Sequence, residues 1–115
     1  EPMPDGHRIR AAGVDVALGT DCNPGTSNTE NLPLMIAFGV CQVGLTVEEA
    51  VGAVTRSAAR AIGREADFGS LRPGSVADLA VYDVPDYRCL AYRFGTNHTA
   101  AVVKDGELVW QRQDS

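Results

Sequence analysis

The sequence predicts an α/β fold class in two parts: helices around a buried strand first, then an all-β stretch. Three observations carry this reading. "VDVALGTD" is apolar on both faces of a strand, because Val14, Val16 and Leu18 alternate while Ala17 and Gly19 are small enough to bury. That pattern suits a parallel sheet covered by helices. "LTVEEAVGAVTRSAARAIGRE" repeats apolar residues at three- and four-residue steps, as an amphipathic helix does. After Phe68 the chain turns to β-rich runs separated by Pro73-Gly74 and Asp105-Gly106. Residues 1–65 therefore form the α/β part and residues 66–115 the β part.

Each element has its own signal. "PDGHRIRAAG" reads as one or two helical turns ended by Gly13. The strand follows, then a polar loop from Cys22 to Asn31. Leu32 to Gly44 is an apolar helix with Pro33 in its first turn, where no backbone donor is lost. In the next helix Thr46 and Glu49 have capping-box spacing, each side chain able to satisfy the other's backbone N–H. Val47, Ala50, Val51, Val54, Ala58, Ala61 and Ile62 form its buried stripe, and Gly63 supplies a left-handed stop. Pro73-Gly74 turns the chain into a strand from Val76 to Val84. "AAVVKDGELVW" is a hairpin about Asp105-Gly106, with Trp110 expected to pack the β part.

Bulk properties exclude several function classes. A chain of 115 residues suffices for one domain or part of a larger one, and such a size buries about 65% of its unfolded surface. The net charge of −5, without a Lys/Arg cluster, argues against a nucleic-acid partner. No apolar run approaches the roughly 20 residues that span a bilayer, so no membrane partner is expected. Cys22, Cys41 and Cys89 are odd in number and widely spaced, which fits reduced thiols in a cytoplasmic protein. The chain opens at Glu1 without an initiator Met and moves quickly into what reads as a late element of something bigger.

The chemistry concentrates in "GTDCNPGTSN", Gly19 to Asn28. Ligands of parallel α/β sheets gather at the carboxyl ends of strands, where Asp21 stands. A partly desolvated carboxylate there needs a metal ion, a cationic side chain or several donors. Asn23 adds an amide, Pro24 a fixed φ, Gly25 room for close approach and Thr26 a hydroxyl. The same string is also good turn chemistry, and an Asp or Asn before a helix is often a cap. One Asp is not a zinc centre, which takes three or four protein ligands. His7 and His98 are the only histidines, and both read as solvent-facing or locally packed. Arg56, Arg60 and Arg64 read as a solvated helix face. Tyr92, Arg93, Phe94 and Gly95 are placed near the junction of the two parts.

"GVDVALGTDCNPGTS" resembles the late-strand motif of imidazolonepropionases, metal-dependent hydrolases of the amidohydrolase superfamily. "LTVEEAVGAVTRSAARAIG", "GSLRPGSVADLAVYDVPDY" and "AYRFGTN" are similar in order and spacing, so the resemblance covers essentially the whole chain but only the last third or so of such an enzyme. It implies the C-terminal part of a TIM-barrel amidohydrolase, with its last strand and helices, plus part of a small β-sandwich domain. By position, Asp21 matches the aspartate that binds the metal, zinc or iron, and relays a proton of the attacking water. Asn23, Gly25 and Thr26 match positions that contact the small-molecule substrate or its ring-opened product. The family more often carries Ser where Thr26 stands, and Cys22 falls at a variable position.

The implied reaction is hydrolysis of 4-imidazolone-5-propanoate to N-formimidoyl-L-glutamate in histidine degradation, by a full-length homodimer. The H-x-H pair and later His of the superfamily have no counterpart here, so the chain alone is expected to be inactive and to need the remainder of the same enzyme. Another amidohydrolase, a deaminase or cyclic-amide hydrolase, and a non-catalytic interaction module are the alternative readings. Alone, the chain is expected to expose an unpaired sheet edge and apolar helix stripes, and so to assemble or aggregate.

Overall fold

In the computed structural model, which describes residues 2–114, most of the helices precede a three-stranded sheet and one short helix lies between its first two strands. Helix α1 (Gly6–Ala11) starts at Asp5, whose carboxylate accepts the N–H of His7 at 3.0 Å and of Arg8 at 3.4 Å. Gly13 follows it at φ 75°, as the sequence predicts. Helix α2 (Leu32–Phe38) is capped by Asn31, which accepts the Leu34 N–H at 3.2 Å, and has Pro33 in its first turn. It continues as a π-helical stretch, Gly39–Val43, and stops at Gly44, φ 86°.

The capping box forms: Thr46 Oγ1 accepts the Glu49 N–H at 3.1 Å and Glu49 Oε1 accepts the Thr46 N–H at 3.3 Å. The helix it starts is shorter than its periodicity suggests. Helix α3 (Val47–Val54) breaks at Thr55, φ −118° and ψ −97°, before α4 (Arg56–Ala61). Thr55 Oγ1 donates to the Val51 carbonyl at 2.7 Å, and its N–H donates to Gly52 at 3.3 Å. The Ala53 carbonyl accepts the Leu18 N–H at 3.0 Å. Carbonyls that a helix end leaves open are thereby satisfied locally. The break also rotates the predicted stripe. Ala50 is buried and Val47, Val51 and Val54 pack on the core, but Ala61 and Ile62 are exposed and Ala59 is buried instead.

The predicted strand at 14–21 is not one here. Val14 to Asp21 forms no ladder, and Ala17 and Gly19 are exposed. A strand is defined by its neighbour, and no described residue pairs with this segment. It is held instead by Val16 and Leu18, which pack against the core. The sheet is antiparallel, ordered β1 (Leu79–Tyr82), β2 (Thr99–Lys104), β3 (Glu107–Gln111). Strand β1 is shorter than predicted. The hairpin forms as expected, with Asp105 at φ 50° and Gly106 at φ 80°, the left-handed pair of a type I′ turn.

Helix α5 (Cys89–Tyr92), which no sequence signal announces, places Leu90 and Ala91 in one core with Ile36, Val43, Leu45, Ala50 and Ala53. Both outer strands are edges, and Leu108, Val109 and Trp110 are exposed along β3. Trp110, opposite Val102, is about half-exposed and so covers the sheet only in part. The unpaired edge and the exposed Ile62 match the expectation for this chain. Among the described residues, no helix is long and apolar enough to cross a membrane.

Gly69 packs on the helix break. At φ 86°, a Cβ there would lie 2.8 Å from the Thr55 carbonyl oxygen and 2.9 Å from Arg56 Cα. Gly69→Ala is expected to lower the unfolding free energy by about 1–3 kcal/mol, since backbone on both sides cannot yield; urea denaturation measures it. The hydrogen bond from Thr46, aided by Arg10, outweighs desolvation and holds the Glu49 carboxyl below its ordinary 4.5. A carboxyl depressed in the folded state stabilises it above the unfolded value, and that contribution fades as pH falls through the folded value. Between pH 4.5 and lower values, Glu49→Gln should lose less stability than the parent protein in acid denaturation.

Candidate functional site

The polar loop after Leu18 is built by its own side chains. Asn23 accepts three hydrogen bonds at Oδ1, from Gly25 N–H at 2.9 Å, Thr26 N–H at 2.8 Å and Thr26 Oγ1 at 3.2 Å. Its Nδ2 donates to the Asp21 carbonyl at 2.6 Å. The Asn23 N–H donates to the Ser27 carbonyl at 2.8 Å, and Ser27 Oγ donates to the Thr20 carbonyl at 2.6 Å. A Cβ at Gly25 would sit 3.3 Å from Asn23 Oδ1, so a larger residue would crowd the amide. Thr29 Oγ1 then accepts the Asn31 N–H at 3.1 Å, which links the loop to the cap of α2. Ser27 closes the loop, a role its sequence position does not distinguish from those of its polar neighbours.

Asp21 stands apart from this network by its side chain alone. Its backbone is left-handed, φ 49°, a region that costs a non-glycine residue about 1 kcal/mol and that Asp tolerates better than most. Its carboxylate is exposed and accepts no hydrogen bond from any described residue. An unspent carboxylate on a tethered backbone fits a metal ligand. It fits as one donor only: among the described residues no three His, Cys, Asp or Glu side chains converge. The loop thus brings Asp21, Asn23, Gly25 and Thr26 together.

The histidines lie elsewhere and are locally engaged. His7 Nδ1 accepts from Arg10 Nη2 at 2.6 Å, and His98 Nε2 is 2.9 Å from the Arg93 carbonyl oxygen. Arg60 pairs with Asp15 and Arg64 with Asp67, so the predicted solvated face is partly ion-paired. The three cysteines are free, with Cys22 and Cys41 exposed. A cavity of about 270 Å³ lies between α2 and the sheet, lined by Asn31, Tyr82, Leu90, Phe94 and His98 among others, and none of the four loop residues borders it. Burial raises the Tyr82 hydroxyl above its ordinary value.

The model of the amidohydrolase family matches residues 5–110. The chain belongs to the amidohydrolase family. It is 51% identical over 102 residues to an imidazolonepropionase of Geobacillus sp. (strain WCH70), covering 89% of this chain and 24% of that protein. It is 50% identical over 111 residues to an imidazolonepropionase of Mycolicibacterium smegmatis, covering 96% and 28%. The chain therefore spans about a quarter of the length of these relatives. Among solved structures, an amidohydrolase from Thermotoga maritima superposes with a TM-score of 0.72 at 25% identity, over 93% of this chain and 26% of that one. A 5-methylcytosine deaminase from Klebsiella pneumoniae gives a TM-score of 0.73 at 19% identity, over 95% and 28%, and shares the fold.

In this amidohydrolase chain the loop's order depends on one amide. Asn23→Ala is expected to speed hydrogen exchange of the Gly25 and Thr26 N–H groups about fivefold to tenfold, the equivalent of about 1 kcal/mol per lost bond. Exchange rates that do not change would show that the loop is held by something else.

Proposed function

We propose that this chain is the C-terminal portion of an imidazolonepropionase, a metal-dependent hydrolase. In this reading residues 1–65 belong to its barrel, with Val14 to Asp21 as the last barrel strand, and residues 66–115 to a composite β-sandwich. The observation that carries it is the Asp21 carboxylate, exposed and unpaired among the described residues, on a left-handed backbone that its own loop tethers. The loop matches the family motif, and identities near 50% to imidazolonepropionases over most of the chain support the substrate class.

The reaction proposed is hydrolysis of the cyclic amide of 4-imidazolone-5-propanoate to N-formimidoyl-L-glutamate. Asp21 would hold a zinc or iron ion together with ligands outside this chain. When bound, the ion supplies Lewis-acid polarisation of the amide carbonyl and lowers the pKa of water. A carboxylate has two oxygens. With one of them on the ion, the other would be available to take a proton from water. Gly25 leaves the rim open to the ring, Thr26 offers a hydroxyl, and Asn23 has a second amide hydrogen not used by the loop. A homodimer in the cytoplasm completes the proposal.

The test uses the full-length protein. Asp21→Ala should remove the bound metal and abolish turnover of 4-imidazolone-5-propanoate while leaving the far-UV circular dichroism unchanged. Retained metal, or rapid turnover of a cytosine or guanine analogue with none of the imidazolone, would reject the reading.

A further inference from the structure

We propose that Asn23 is a positioning residue for the metal ligand: its side-chain amide sets the backbone angle at Asp21 and thereby aims the carboxylate. This rests on the reading of Asp21 as a ligand. The geometry that points to it is the division of labour within one side chain. Oδ1 gathers three donors from residues 25 and 26, and the opposite end of the same amide donates to the Asp21 carbonyl at 2.6 Å. The Asn23 N–H is itself tied to Ser27 at 2.8 Å, so the amide has a fixed base from which to hold that carbonyl.

A carbonyl oxygen held from one side restricts rotation about the bonds that flank it. At Asp21 the backbone is left-handed, φ 49°. Without the amide donor that residue gains by relaxing to the ordinary right-handed or extended region. The Cα–Cβ bond would swing with it, carrying away a carboxylate that no other described residue holds. The second amide hydrogen stays available to a ligand, so one residue both faces the substrate and steers the ion. Groups that orient a metal ligand from outside matter about 10–100-fold to affinity.

Zinc affinity of the full-length enzyme, by chelator competition, reads this out without turnover. Asn23→Ala is expected to weaken zinc about tenfold or more, with folding checked by circular dichroism. Asn23→Asp keeps the acceptor oxygen for Gly25 and Thr26 but loses the donor to Asp21. Its added negative charge alone would tighten a cation, so weaker zinc in this variant isolates the lost donor. It also decides the matter if Asn23→Ala does not fold. Thr26→Ala removes a hydroxyl bond from the same loop, leaves the amide on the Asp21 carbonyl, and should keep zinc within about twofold.

Parent-like zinc affinity in a folded Asn23→Ala, tighter zinc than the parent in Asn23→Asp, or an equal loss in Thr26→Ala, would overturn the proposal. Asp21→Ala separates the two levels. If that variant keeps zinc, the assignment of Asp21 fails. If it loses zinc while the Asn23 variants keep it, only the role of Asn23 fails.

Discussion

The hydrogen bond from the Leu18 N–H to the Ala53 carbonyl, 3.0 Å, joins the site to the fold. It exists because α3 ends at Val54 and frees that carbonyl. In a helix running on through residue 57 the same oxygen would be taken by its own chain. The Leu18 side chain meets the other wall: a Cβ on Gly39 would lie 2.7 Å from Leu18 Cδ1, so the π-helical stretch after α2 admits the leucine only because glycine stands there. Two helices thus clamp one residue, three positions before Asp21. A helix break that looks like a defect in the periodicity is what gives the loop a fixed origin.

From that origin the loop needs little help. Its bonds run from Thr20 through Ser27 and Asn23, then through Thr29 to the cap of α2, nearly all between residues within a few positions of one another. Short-range bonds of this kind cost little chain entropy to close. The turn reading of "DCNPGTS" is what these bonds form. Asn23 spends its amide on the turn, and the turn leaves the carboxylate of Asp21 unspent.

Beyond the loop the chain shows surfaces that its own core does not cover. Among the described residues, nine buried apolar ones, several of them alanines, make a thin core for 115 residues. Strand β3 is exposed along its whole length, and Ile62, Leu71 and Tyr92 stand in solvent. Relatives in the amidohydrolase family are about four times as long as the region matched here. An exposed carboxylate at Asp21 and a half-covered sheet have the same physical character: no described residue of this chain covers either one.

Local chemistry was legible in the residues. The Thr46–Glu49 box, the stop after Gly63, the Pro73-Gly74 turn and the Asp105-Gly106 hairpin form as written, because each is decided within about four residues by hydrogen bonds and allowed φ. The turn through Asp21, Asn23, Gly25 and Thr26 was legible too, because its hydrogen bonds close within a few residues. Three features were decided elsewhere. The break at Thr55 answers to Leu18 on another segment. Helix α5 forms where Leu90 and Ala91 find a core supplied by α2 and α3. Val14 to Asp21 has the composition of a buried strand, yet pairing is a property of two segments, and alternation in one cannot supply the other.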